Sequence, residues 1–281
     1  MHNPVLLQEA IESLDVKKNG LYIDATFGEG GHSREIIKRG GKVLGIEWDR
    51  KQYQISNIKY QKFISKTQSL LLINGNYKDI EKIAKQNSFY PVDGVLFDLG
   101  LAMRQLAESG RGFSFKKENE PLDMRVNKQI KTKASDLINN LSKEELYELF
   151  AKYSEEVNSF VIAKAIVKAR SIKKIETVAD LINVIDEAIG RKDEKVYRRI
   201  FQALRIATNN EFENLKRGLV GALHLLKKSG RIVVIAFHSL EDRIVKNFAN
   251  NYELTLISKK PIFSKNNLSF ERSAKLRVIG Y

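Results

Sequence analysis

The sequence predicts an α/β protein, a parallel and doubly wound sheet interrupted by a mostly helical insert. Three observations carry that expectation. Over the first hundred residues short apolar runs alternate with amphipathic stretches, as strands buried on both faces and joined by helices do. The alternation resumes towards the C-terminal end. Between about residues 105 and 200 no buried strand is legible, only helical patterns. The expected division is an α/β cofactor-binding domain formed by 1–106 and 203–281, with 107–202 as the inserted helical substrate-recognition domain.

Taken in order, Asn3 and Pro4 read as an N-cap and a first helical residue, with Leu7, Ala10, Ile11 and Leu14 on one face. "LYIDA", "KVLGIEWD", "LLLING" and "VDGVLFDLG" read as strands, with helices near 32–39, 50–64 and 78–87. In the insert, Ser142 and Glu145 form a capping box that opens "SKEELYELFAKY". "EEVNSFVIAKAIVKAR" places Val157, Phe160, Val161 and Ala165 near one side as an amphipathic face, and "TVADLINVIDEAI" repeats the pattern. A long helix is expected around 208–228, followed by strands in "GRIVVIAF" and "YELTLIS".

Composition limits the function. The 281 residues hold 48 basic against 34 acidic side chains, a net charge of +14 and a pI near 9.6. A surplus of that size favours a polyanionic partner, most commonly nucleic acid. There is no cysteine, which excludes disulfides, thiolate zinc sites and iron–sulfur clusters and suits a reducing cytoplasm. Glu9, Glu12 and Asp15 interrupt what would be the heart of a signal peptide. The longest apolar run, "IVVIAF", is far too short to span a bilayer. A soluble cytoplasmic protein without a metal is expected.

Ligands of open α/β sheets sit outside the carboxyl ends of the strands. The first strand ends in Asp24 and the turn Gly28-Glu29-Gly30-Gly31-His32-Ser33. That turn departs from a dinucleotide fingerprint, because Ser33 stands in the sixth place, where the fingerprint has glycine. The second strand ends in Glu47, where a ribose-binding acid belongs. Asn76 and Tyr77 follow the third, and Tyr77 is placed to stack on an adenine or to fill the core. The fourth ends in Asp98, either a turn-capping carboxylate or the counter-charge for a cationic cofactor. A nicotinamide dinucleotide and S-adenosylmethionine both fit an acid on a ribose diol. Only the second lacks a pyrophosphate and carries a sulfonium and an ammonium, so the strand ends in order favour it.

After the last strong strand, "AFHSLEDRIVKNF" sets His238, Ser239 and Asp242 at the same end of the sheet. It reads as a helix start capped by Ser239 or as groups that meet a substrate. His224 reads as a helix-face residue. Arg111 and Phe113 in "SGRGFSF", and Arg205 in "EKVYRRIFQALR", mix cations with aromatics as single-stranded RNA requires, although each arginine alone also suits a solvated face. Without a cysteine nucleophile or a radical cluster, the methyl chemistry left is direct displacement at a nitrogen or oxygen. The Asn/Asp-Pro-Pro-Tyr motif of many base-amine methyltransferases is absent.

Together "HNPVLLQEAI", "YIDATFGEGGHS", "DLG…QL", "RGFSF", "PLDMR", "FQALRI", "GRIVVIAFHSLEDRIVK" and "RSAKLR" resemble, in order and along the whole chain, the bacterial 16S ribosomal RNA cytosine-N4 methyltransferases, the RsmH or MraW family. The resemblance implies a Rossmann-like class I methyltransferase domain, S-adenosylmethionine as donor, and a decoding-region cytidine of 16S rRNA in the small ribosomal subunit as acceptor. By position it implies cofactor contacts at Gly30, Gly31, His32, Glu47, Tyr77, Asp98 and Gln105, with Gly28 in the same turn. Asp98 is the candidate nearest the reacting centre. Arg111, Phe113, Arg205, His238 and Ser239 are the candidates for substrate. Glu47 stands where the family usually has aspartate, and Ala102 and Met103 where it usually has two serines.

Overall fold

The computed structural model describes residues 4–100, 109–264 and 273–280, apart from the side chains of 62–67. Two compact units emerge, Met1–Leu101 with Phe212–Tyr281, and Ala102–Glu211.

The first unit is built on a seven-stranded sheet of order β3-β2-β1-β4-β5-β7-β6. The strands are β1 (Leu21–Asp24), β2 (Lys42–Glu47), β3 (Leu70–Asn74), β4 (Val92–Asp98), β5 (Leu226–Ala236), β6 (Thr255–Leu256) and β7 (Lys275–Gly280). β1 to β5 are parallel, and β7 runs antiparallel to both β5 and β6. Helices cover both faces: α1 (Leu7–Leu14), α2 (Gly31–Lys38), α3 (Arg50–Thr67), α4 (Ile80–Gln86), α10 (Glu211–Leu225) and α11 (Ser239–Asn251).

Alternate residues of each strand enter opposite cores, as the pleat dictates. Ile23, Leu44, Val95, Phe97 and Val234 pack with Ile80, Leu219 and Val245. Tyr22, Val43, Leu96, Val233 and Leu276 pack with Ile11, Ile36 and Tyr60 on the other side. Chain order reverses between β1 and β4, so the crevice at their carboxyl ends is the topological switch point, where such sheets bind ligands.

Two expectations for this unit change. The helix read across 208–228 is broken at Asn210, whose φ is +51°, and α10 already gives way to β5 at Leu226. An asparagine accepts the left-handed region better than most residues, so the break is local backbone chemistry. In "YELTLIS" only Thr255 and Leu256 pair as a strand, and β7, which starts in the "RSAKLR" segment and runs on to Gly280, has no counterpart among the expected strands.

The second unit contains α5 (Ala134–Asn140), α6 (Lys143–Ser154), α7 (Ser159–Arg170), α8 (Val178–Ile189) and α9 (Glu194–Asn209). Among its described residues the only β pairing is an isolated bridge, Pro121 with Thr177. Ser142 and Glu145 do cap α6 reciprocally, with Glu145 N–H donating to Ser142 Oγ at 3.2 Å and Ser142 N–H to Glu145 Oε2 at 2.7 Å. The face of α7 is the opposite of the one expected. Ile162, Ala163 and Ile166 are buried, whereas Val157, Phe160 and Val161 are exposed. α7 is apolar nearly all round, so periodicity offered two stripes and packing on α6 and α8 selected one. The second crossing between units, after Glu211, leaves α9 whole, whereas the boundary expected at 202/203 cuts it.

Candidate active site

The switch point gathers three carboxyl groups. Asp24, at the end of β1, is buried; its Oδ2 accepts from Ser33 Oγ at 2.6 Å and its Oδ1 from Thr26 N–H at 3.3 Å. Burial pushes its carboxyl up to about 6. Glu47 ends β2 and accepts backbone N–H groups from Gly28 at 2.9 Å and Asp49 at 2.8 Å; burial still raises it to about 7. Asp98 ends β4. Its own N–H donates to Thr26 Oγ1 at 2.7 Å, and its Oδ1 accepts from Gly100 N–H at 3.2 Å. Burial, then the nearby charges of Asp24 and Glu241, push Asp98 up to about 8.

The glycine turn is held rigidly. Gly28 and Gly30 adopt φ of +53° and +76°, conformations that side-chain-bearing residues rarely adopt. Gly31 opens α2. α3 pins the turn from below: Gln52 Nε2 and Ser56 Oγ donate to the Gly28 carbonyl at 2.9 and 2.8 Å, and Tyr60 Oη to the Glu29 carbonyl at 2.8 Å. Sequence reasoning missed these three. Their spacing of four residues on one helix face was the available signal.

His32 is 6% exposed. Its Nε2 lies 3.1 Å from the Val5 carbonyl, which can only accept, so Nε2 carries the proton. Burial lowers the ring to about 4, leaving it neutral, with Nδ1 3.9 Å from Asp98 Oδ2. Tyr77, just past β3, is half-buried, with its ring edge-on to Phe97 at 5.7 Å. It therefore sits at the cofactor end of the sheet while also packing on the core. Gln105, Ala102 and Met103 lie outside the described residues.

At the end of β5 the helix cap is His238, not Ser239. Glu241 N–H donates to His238 Nδ1 at 3.3 Å, and Glu241 Oε2 accepts from Phe237 N–H at 2.8 Å and His238 N–H at 3.3 Å. His238 Nε2 lies 3.1 Å from Glu241 Oε1 but off the hydrogen-bond line, so it is buried without a bond. A ring nitrogen with a lone pair can cap as a hydroxyl does, which moved the cap one residue upstream. Ser239 is exposed in the first turn of α11. Behind it, Asp242 pairs with Arg277 of β7, both buried. His224 lies on an exposed face of α10, 2.9 Å from Glu81.

The second unit places the remaining candidates in its interior. Arg111 Nη1 donates to the carbonyls of Arg125 and Val126 at 2.8 and 2.7 Å, and its guanidinium covers Phe113, which is buried. Arg205 forms a two-pronged pair with Glu211, both bonds 3.0 Å. These three side chains hold the fold of the unit.

The donor set fits a cationic nucleoside cofactor. Three carboxyl groups, Asp24 buried and Glu47 and Asp98 half-buried, end neighbouring strands, and the histidine nearest Asp98 is neutral. Such a cluster is stabilised by a bound cation with hydroxyls to donate, and S-adenosylmethionine supplies both. Glu47 ends β2 and Tyr77 follows β3 at the same end of the sheet. The class defined by this sheet and this site is the S-adenosylmethionine-dependent methyltransferase.

Comparison with known proteins sharpens that class. The model of the MraW methylase family matches residues 1–280, and the chain belongs to that family. It is 42% identical to a protein of Dictyoglomus thermophilum named ribosomal RNA small subunit methyltransferase H, over 99% of this chain and 96% of that one. A protein of the same name from Halothermothrix orenii is 41% identical over 99% and 97%. Among solved structures, an rRNA methylase from Streptococcus thermophilus aligns over 100% of this chain and 98% of that one, with a TM-score of 0.46 and 9% identity.

Proposed function

We propose that the protein methylates the exocyclic N4 amine of a cytidine in the decoding region of 16S rRNA, within the small ribosomal subunit. The observation that carries the reading is Asp98, a half-buried carboxyl at the switch point, held above neutrality and facing no cationic side chain among the described residues. Near-full-length relatives named for small-subunit rRNA methylation support the substrate class, and the eight ordered motifs support the cytosine amine.

S-adenosylmethionine, when bound, supplies an electrophilic methyl on a sulfonium. Asp98 releases its proton when a cation lies against it and then serves as counter-charge. A carboxylate or carbonyl here also accepts an N–H of the cytosine amine, whose lone pair is otherwise delocalised into the ring, and takes up positive charge as it develops. Glu47 and the pinned Gly28–Gly31 turn hold the nucleoside part. His238 and Ser239, at the end of β5, are the proposed contacts to the base. With Arg111 and Arg205 internally engaged, the proposed phosphate contacts are cations elsewhere on the surface.

The test is methyl transfer from radiolabelled donor to small subunits purified from a strain lacking the enzyme, followed by digestion to nucleosides. Label in N4-methylcytidine supports the reading. Label in any other nucleoside, or none, overturns it.

A further inference from the structure

The outer face of α6 and α7 carries a patch that the methyl-transfer site does not use. Tyr147 is 43% exposed and Phe160 51%, and their rings meet edge to face at 6.0 Å. Val157 and Val161 extend the apolar stripe to either side of Phe160 at 87% and 47% exposure. Lys143 Nζ stands over the Phe160 ring at 5.5 Å. Lys164 and Lys168 continue the same stripe of α7, both exposed, and neither forms an ion pair with a described residue. Lys143 shares its charge with Glu144 at 3.0 Å.

Two aromatics and two valines left contiguous in water mark an interaction surface. The lysines decide its partner. An apolar protein-binding face is depleted of lysine, whereas rings ringed by ammonium groups match single-stranded nucleic acid, whose bases stack on aromatic faces while its phosphates meet cations. Lys164 and Lys168 are one helical turn apart, about 6 Å along the axis, so both can meet neighbouring phosphates of one extended strand. The net charge of +14 is of the same sign.

We propose that this face of α6 and α7 binds an unpaired stretch of RNA, with Tyr147 and Phe160 as the stacking platform and Lys143, Lys164 and Lys168 as the phosphate contacts. The proposal rests on the rRNA reading above, and assigns to the second unit a grip on substrate outside the methyl-transfer site.

The test measures binding of a fluorescein-labelled, mixed A and C single-stranded RNA of about 15 nucleotides to the full chain by anisotropy across a salt series. Tyr147→Ala with Phe160→Ala is expected to weaken binding about tenfold or more. Lys164→Gln with Lys168→Gln is expected to lower the slope of log affinity against log salt by about 1.4, the single-strand value for two phosphate contacts. Donor binding stays as in the parent protein, because no altered side chain belongs to the methyl-transfer site, and loss of the Tyr147–Phe160 ring pair lowers the melting temperature by only a few degrees. Unchanged RNA affinity and slope overturn the proposal. So does Phe160-dependent self-association in sedimentation with RNA binding intact, or weakened binding to whole small subunits alone, which would make the face a protein contact. Methyl transfer by the unaltered protein is scored separately, so failure of the rRNA reading is visible by itself.

Discussion

Ser33 shows how one residue separates two cofactor classes. A glycine in its place would let a helix close on a pyrophosphate; the serine instead donates to Asp24 at 2.6 Å. Ser33→Ala leaves a buried carboxyl short of a donor, at a cost of about 1–3 kcal/mol. The loss is expected to be larger at pH 7.5 than at pH 5, where Asp24, raised to about 6, is already protonated. Urea denaturation at the two pH values checks this. Asp98→Asn removes the proposed counter-charge while keeping the shape. Loss of one partner of a buried charge pair costs about 2–5 kcal/mol, so donor affinity is expected to fall about thirtyfold or more. The melting temperature at pH 8 should hold or rise, because the variant no longer buries an ionising acid. Calorimetry with the donor and a thermal melt read the two effects independently, and undiminished affinity would remove Asp98 from the site.

At the level of elements, two helices set the geometry of the site from a distance. In α10, Gly218 leaves room for Tyr77: a Cβ there would lie 2.9 Å from Tyr77 Cδ2 and 3.2 Å from Phe97. Gly218→Ala ought to gain about 1 kcal/mol from helix propensity. Overpacking offsets that gain, so the expected outcome is no rise in melting temperature together with weaker donor binding as Tyr77 is displaced. In α11, His238→Asn keeps a good cap and His238→Ala does not, a difference of about 1 kcal/mol. If His238 also meets the base, both variants lose methyl transfer while only the alanine loses stability. Equal activity in the asparagine variant and the parent would make the histidine a cap alone. The strand ends carrying Asp24, Glu47 and Asp98 were legible in the sequence because buried parallel strands are unbroken apolar runs that stop abruptly at polar residues. The roles of Gln52, Ser56, Tyr60 and Gly218 were not, because each depends on which residue of a distant element lies opposite. Which of the two stripes of α7 faces outward was illegible for the same reason, and so were the internal partners of Arg111 and Arg205, because an arginine bonded to carbonyls or to glutamate looks, in sequence, like any other.

Across the whole molecule the acid cluster is expected to couple donor binding, folding and protons. Glu47 and Asp98 have folded-state values raised to about 7 and 8, well above those of an unfolded chain. Between these limits the ligand-free folded state binds more protons than the unfolded state, so stability falls as pH rises through the interval. His32 acts in the opposite direction. Its value is lowered to about 4, so it adds stability as pH rises from about 4 to 6.5 and nothing beyond. The ligand-free protein is therefore expected to lose stability between pH 6.5 and 8, where the acids act alone. A cation at Asp98 reverses the balance by favouring the ionised carboxylate, so donor binding releases protons at pH 7 and tightens as pH rises towards 8. Calorimetric titration in two buffers of different ionisation enthalpy counts the protons released. Denaturation at pH 6.5 and 8, with and without donor, measures the coupled stability. Proton uptake on binding, or an affinity flat across that range, would mean that the convergent carboxyls do not neutralise the cofactor.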